Sequence, residues 1–216
     1  MPKENKQKNR KHPMLDPESS FVSFLTLLAN LMIVNLLTLF LMIPVFTAGA
    51  AFTAMASVLM AQCEGEDSSV VKRYFHSFSH SFGDATMLYL IYLALFVLQL
   101  GLVIFSLSGA FSISAPILAV FAVIDIIFFG SGVYGFALTA RYKNTVTGTF
   151  VNSMKLFFGF LPMSLSITGA FVLMGLLIWK TWPYLGPVGI LFGLSLPEYL
   201  SVKEILKIFD KVSSGS

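Results

Sequence analysis

Charge is scarce in this chain. Of its 216 residues 12% are charged and 56% are hydrophobic. A soluble domain carries about 25% charged residues, and half that proportion cannot coat a water-facing surface of this size. A soluble enzyme and a free cytosolic binding domain are excluded. So is intrinsic disorder, which needs the reverse composition. Cysteine is nearly missing too: Cys63 stands alone, so no intramolecular disulfide can form. The net charge is only +3, and the one dense basic run is Lys3, Lys6, Lys8, Arg10 and Lys11. That run leads directly into an apolar stretch, the layout of a membrane flank and not of a nucleic-acid patch, so no nucleic-acid partner is expected. Gly-rich phosphate loops, HExxH and GxSxG are absent, and no nucleophile stands beside a base. The expectation is a protein that is not an enzyme and binds no cofactor.

What the chain does have is long apolar runs. The reading is all-α: a polytopic transmembrane helix bundle of about six spans in hairpins, with the lipid bilayer as its surroundings. About 20 apolar residues cross the hydrocarbon, which places spans at about 21–43, 48–62, 85–108, 114–140, 158–179 and 185–200. The run from Phe21 to Phe46 is too long for the apolar core of a signal peptide, so it reads as a retained span. Residues 1–20 read as a basic cytoplasmic segment, 21–211 as a single membrane domain and 212–216 as a disordered tail. Pro44 to Thr47 reads as a tight turn between two packed helices, with one kinked span as the alternative. The small residues that follow, including Ala48, Gly49, Ala50 and Ala51, let helix backbones approach closely.

Two stretches are amphipathic, about 69–83 and about 145–157. In the first, Val71, Tyr74, Phe75, Phe78 and Phe82 recur at helical spacing, opposite Lys72, Arg73, His76, Ser77 and His80. Such a pattern suits a helix in the membrane interface. The two stretches align at an offset of 76 residues: Val70 with Val146, Ser77 with Ser153, Phe82 with Phe158, Gly83 with Gly159. This is an internal repeat of a surface helix followed by a hairpin. With both termini cytoplasmic, six spans place thirteen of the fourteen basic residues on the inner side, Lys180 being the exception, in line with the positive-inside rule. The expected location is the cytoplasmic membrane of a bacterium, multi-pass.

Few residues are candidates for chemistry. Asp125 sits amid apolar residues in the fourth span, where an acid costs about 2.5–3.5 kcal/mol to insert. It either binds an ion, a proton or a partner's base, or pins helix packing. Glu198 reads as an interfacial acid that snorkels. His76, His80 and Asp84 share a face at i, i+4 and i+8, a weak metal set with no third strong ligand, so the metal expectation is none. Gly132, Gly135 and the Gly189/Gly193 pair read as helix-packing positions, and Pro44, Thr47 and Gly49 as turn and packing residues. Tyr74, Phe75, Phe78, Phe82 and Arg141 are candidates to face a partner.

The block from Asn35 to Ala50, with its apolar run, Pro44-Val45 and Thr47-Ala48-Gly49, resembles the YesL family of bacterial membrane proteins. The aromatic stretch from Tyr74 to Phe82 and the block from Tyr134 to Thr145 around Ala140-Arg141-Tyr142 fit the same resemblance in order and spacing. The chain departs from the pattern at Ala137, where a Pro is common, and near His80; Asp125 is not a family hallmark. The resemblance implies an accessory role beside carbohydrate ABC transporters, with permease subunits as partners. This gives the leading expectation: a non-enzymatic accessory subunit. The alternative is a small carrier or channel using Asp125.

Overall fold

The computed structural model describes residues 20–66, 69–107, 114–182, 184 and 186–214. Among them are nine α-helices, one 3-10 turn and no strand. In chain order these are α1 (Ser20–Leu41), the 3-10 turn (Val45–Thr47), α2 (Ala48–Cys63), α3 (Val70–His80), α4 (Phe82–Leu107), α5 (Ala115–Arg141), α6 (Val146–Gly159), α7 (Leu161–Thr181), α8 (Gly186–Phe192) and α9 (Ser195–Ser214). Five stretches are long and apolar enough to cross a membrane: Phe21–Leu41, Val45–Cys63, Phe82–Ser106, Pro116–Arg141 and Leu161–Thr181. The protein is a helical membrane protein by this measure. The basic run at residues 3–11 and the connection at 108–113 lie outside the described residues.

Proline sets several of the helix boundaries. Pro116, Pro162, Pro187 and Pro197 all stand in the first turn of a helix, where a missing N–H is no loss. Pro44 precedes the 3-10 turn in extended conformation. There α1 and α2 part into two separate helices, and the Thr47 hydroxyl closes the turn by donating to the carbonyls of Leu41 and of Pro44, the latter at 2.7 Å.

The expected sixth span at 185–200 does not form as one helix. α8 stops at Phe192 and α9 starts at Ser195. Pro197 supplies the reason: in a continuous helix its ring would press on the carbonyl of Gly193, and its nitrogen could not donate. With seven residues, α8 is about 10 Å long, too short to span by itself. The stretch from Val202 to Lys211, where charged and apolar residues alternate, is part of α9. So are residues 212–214, expected as disordered tail.

α2 lies at the centre, against α1, α3, α4, α5 and α9. Its small residues make this possible. A Cβ on Gly49 would collide with the carbonyl oxygen of Ala85 and with the Cβ of Tyr89 in α4. Tyr74, Tyr134, Leu31, Met55, Leu59, Ile205 and Ile208 fill the core around α2.

The two amphipathic stretches are helices, as their spacing predicts, and each packs beside the helix before it, α3 on α2 and α6 on α5. Their buried positions differ from the expected aromatic stripe. In α3 the buried residues are Tyr74 and Ser77, and in α6 they are Thr149, Ser153 and Phe157. The offset of 76 residues is visible in burial as well as sequence: Ser77 and Ser153 are both buried, Phe78 and Met154 both half-buried, Gly83 and Gly159 both exposed.

One part of the molecule is hardly packed at all. Beyond Leu88 in α4 and before Gly130 in α5, no described residue is fully buried. The stretch of α4 from Tyr89 to Leu107 is about 28 Å long, and with its partner in α5 it forms a two-helix arm.

Candidate functional site at the broken helix

The break between α8 and α9 is held by one side chain from the other end of the sequence. Asn35 is on the buried stripe of α1, with Leu31, Val34 and Thr38 at helical spacing. It is fully buried. Its amide nitrogen donates to the carbonyl oxygen of Ile190 at 2.7 Å, and its amide oxygen accepts from the backbone N–H of Leu194 at 2.9 Å and of Ser195 at 2.8 Å. A broken helix leaves its last carbonyls and first N–H groups without partners, and in an apolar interior each such group is costly. Asn35 meets three of these needs at once. Within α8 and the break, Gly193 N–H adds a bond to the Gly189 carbonyl at 2.8 Å.

Beside the break stands an acid. Glu198, in the first turn of α9, is 4% exposed, which corrects its reading as a snorkelling interfacial residue. No described side chain or backbone group hydrogen-bonds its carboxyl, and burial alone pushes that carboxyl up, to about 8. Ser195, three residues earlier on the same helix face, is fully buried, and its hydroxyl has no hydrogen-bond partner among the described residues. By contrast the Ser201 hydroxyl, two turns into α9, donates to the Pro197 carbonyl at 2.7 Å.

A second buried polar group lies nearby on α1. Tyr74 is not presented to a partner, as expected from sequence, but is fully buried. Its hydroxyl meets the Thr38 hydroxyl at 3.0 Å and the Ala51 carbonyl at 3.2 Å, tying α3 to α1 and α2. Burial pushes that phenol up, against a smaller opposing effect of the Thr38 bond. One stripe of α1 thus carries both polar anchors, Asn35 and Thr38.

The other sequence-derived candidates fall in separate places. Asp125 is half-buried in the arm, where Gln99 of α4 donates to its Oδ2 at 2.8 Å and to the Phe121 carbonyl at 3.3 Å. The signal for Gln99 in the sequence is that it is a lone amide in an apolar run. His76, His80 and Asp84 are all exposed, the two imidazoles 6.0 Å apart between centroids; no group of three or more His, Cys, Asp or Glu suited to a metal occurs among the described residues. Phe75 is exposed, while Phe78 and Phe82 pack edge to face at 5.6 Å. Arg141 donates to Glu64 at 2.6 Å, pairing the end of α5 with the end of α2. Tyr142 meets Phe209 of α9 at the same end, 5.5 Å between rings.

The glycines divide as well. Gly189 and Gly193 both face Ile178 of α7; an added Cβ would sit 2.9 Å and 3.3 Å from its Cδ1. At Gly135 an added Cβ would lie 3.1 Å from Leu88 Cδ2. Gly132, expected as a packing position, is not one of close approach: its nearest neighbour would be 3.9 Å away on Tyr92.

Two shallow clefts lie at the end of the bundle where Arg141 and Glu64 pair. One, of about 360 Å³, is lined by Cys63, Glu64, Lys203, Glu204, Lys207 and Asp210 among others. The other, of about 350 Å³, includes Tyr142, Asn152, Lys155 and Phe209. Neither reaches Asp125 or Glu198.

Comparison with known proteins adds one similarity. Residues 31–105 match the model of a family described as a protein of unknown function, DUF624. The matched stretch runs from Leu31 on α1 through α2 and α3 into α4, so it includes Asn35, the Pro44 turn, Gly49 and Tyr74, but not the broken helix. No curated protein and no solved structure matches the chain.

Proposed function

We propose that the protein is a non-enzymatic accessory subunit of the bacterial cytoplasmic membrane, and that it docks onto the permease of a carbohydrate ABC transporter. The observation that carries the docking is the α4–α5 arm. It combines a large unpacked apolar surface, with Phe96, Leu98, Ile104 and Val123 all at least half exposed, with a polar pair, Gln99 and Asp125, midway along it. The pair ties α4 to α5, and the hydrogen-bonding capacity it leaves over is available to a partner helix. The sugar-transport context rests on the resemblance to the YesL family. The basic segments are assigned to the cytoplasmic side by the positive-inside rule. The contact of Tyr142 with Phe209 supports this, since it brings the last turns of α9 to the end of the bundle that carries Arg141.

Pull-down of tagged protein from native membranes tests the reading. Recovery of a sugar permease, crosslinked through a cysteine at Leu98 or Val123, supports it. If no permease is recovered in a detergent that preserves an established permease pair, the proposal fails. The carrier reading built on Asp125 is the weaker one, because the carboxyl is committed to Gln99 between two helices and neither cleft reaches it. Flux in proteoliposomes that is abolished by Asp125→Asn would reverse that order.

A further inference from the structure

Ser195 and Glu198 share the buried first turn of α9, and among the described residues no hydrogen bond is made by the Ser195 hydroxyl or to the Glu198 carboxyl. A helix start normally offers its free N–H groups to an anion, but here those of Leu194 and Ser195 are taken by Asn35. No positive charge is committed to the carboxylate from the helices packed against α9, which are chiefly α1, α2, α5 and α7. α1 has no titratable residue, and neither has α8. α2 has only Cys63. In α5, Asp125 is bound by Gln99, the Tyr134 hydroxyl by Ser164, and Arg141 by Glu64. α7 has only Lys180, in its last turn. On α9 itself, Lys203 lies over the ring of Tyr199, Lys207 pairs with Glu204, and Asp210 and Lys211 stand in the last turns. An unpaired carboxylate buried to this degree is expensive, and a buried hydroxyl with no partner adds to the cost.

We propose that the first turn of α9 is a site for a small monovalent cation, a proton or an alkali-metal ion, with the Glu198 carboxylate as its charged ligand and the Ser195 hydroxyl as its neutral one. Both sources share one chemistry, a compact positive charge that neutralises the carboxylate without bulk. Nothing in this assignment depends on docking to a permease, so the two proposals fail independently.

Infrared difference spectroscopy on the full-length protein in nanodiscs tests it, in choline buffer between about pH 5 and about pH 9. The expected result is a protonated-carboxyl stretch that titrates well above the ordinary carboxylate range and is missing from Glu198→Gln. Replacing choline with sodium or potassium at constant pH separates the sources. Loss of the band together with a higher melting temperature identifies the alkali ion; a band indifferent to the salt identifies the proton. Ser195→Ala keeps the band, and in the alkali-ion case weakens the salt response several-fold. If Glu198→Gln fails to fold, Glu198→Asp carries the attribution through a shifted band. No band assignable to residue 198 and no difference between choline, sodium and potassium would overturn the site.

Discussion

The centre of the bundle and the α4–α5 arm are both built from apolar sequence, the arm the more so, yet they end in opposite surroundings. In the most apolar window of Val45–Cys63, the 3-10 turn and α2 together, 72% of the residues are buried inside the protein; in that of Phe82–Ser106 on α4 the share is 6%. Side-chain size makes the difference. α2 begins Ala-Gly-Ala-Ala and lets α4 come within backbone contact at Gly49, whereas the arm presents Phe, Leu, Ile and Val, which hold neighbours off and suit the bilayer. In a membrane, lipid is as apolar as leucine, so association depends on close packing and on hydrogen bonds between helices. The centre has both. In the arm, Gln99 and Asp125 supply such a tie.

The largest effect should come from the polar anchor of the centre. Asn35→Leu leaves the Ile190 carbonyl and two N–H groups unpaired in a dry interior, at about 1–3 kcal/mol each. We expect loss of the folded protein, read as a collapsed melting transition or aggregation on extraction, while Asn35→Asp or Asn35→Gln retains more. Next is Gly49→Val, which overpacks the α2–α4 crossing and should cost about 1–3 kcal/mol or more, measured by thermal unfolding in detergent. A third effect depends on pH. The folded Glu198 carboxyl is raised to about 8 from its ordinary 4.5, so between those values the unfolded state binds fewer protons than the folded one. Stability therefore falls as pH rises through that window, in buffer without alkali cations, and Glu198→Gln should flatten the slope. Tyr74→Phe should be milder, about 0.5–1.5 kcal/mol for its hydroxyl bonds, measured in the same melts. Smallest of all is Leu98→Ala on the arm, within about 0.5 kcal/mol for the isolated protein; a loss as large as that of Gly49→Val would mean the arm is packed after all.

Much of this contrast could be read in the sequence. Pro44 followed by small residues announced a turn and a close-packed helix, and helical spacing located α3 and α6. The lining of α3 is less legible, because periodicity identifies a face without telling whether protein or lipid covers it; Tyr74 has the spacing of a contact residue and closes the core. The broken helix left a local trace in Gly193 and Pro197, four residues apart, but a run of apolar residues outweighed it. Asn35 left none that could be read alone: its partners lie 155 to 160 residues along the chain. Glu198 illustrates the same limit, since an acid near the end of an apolar run looks the same whether it faces headgroups or a helix interior.

The Asn35 clasp also fixes an order of events during synthesis. α1 is made long before α8 and α9, with its amide already in place, while the groups that amide will bind are more than 150 residues from being made. At about 5–20 residues per second, that is a wait of roughly 8–30 s. Throughout it, the stripe of α1 that carries Asn35 must be screened by something other than its final partners, whether water, lipid headgroups or the insertion machinery. The last two helices then do more than extend the bundle. Their arrival releases the first helix from that temporary company, so a chain stalled before residue 190 would hold a first helix that is inserted but not yet home.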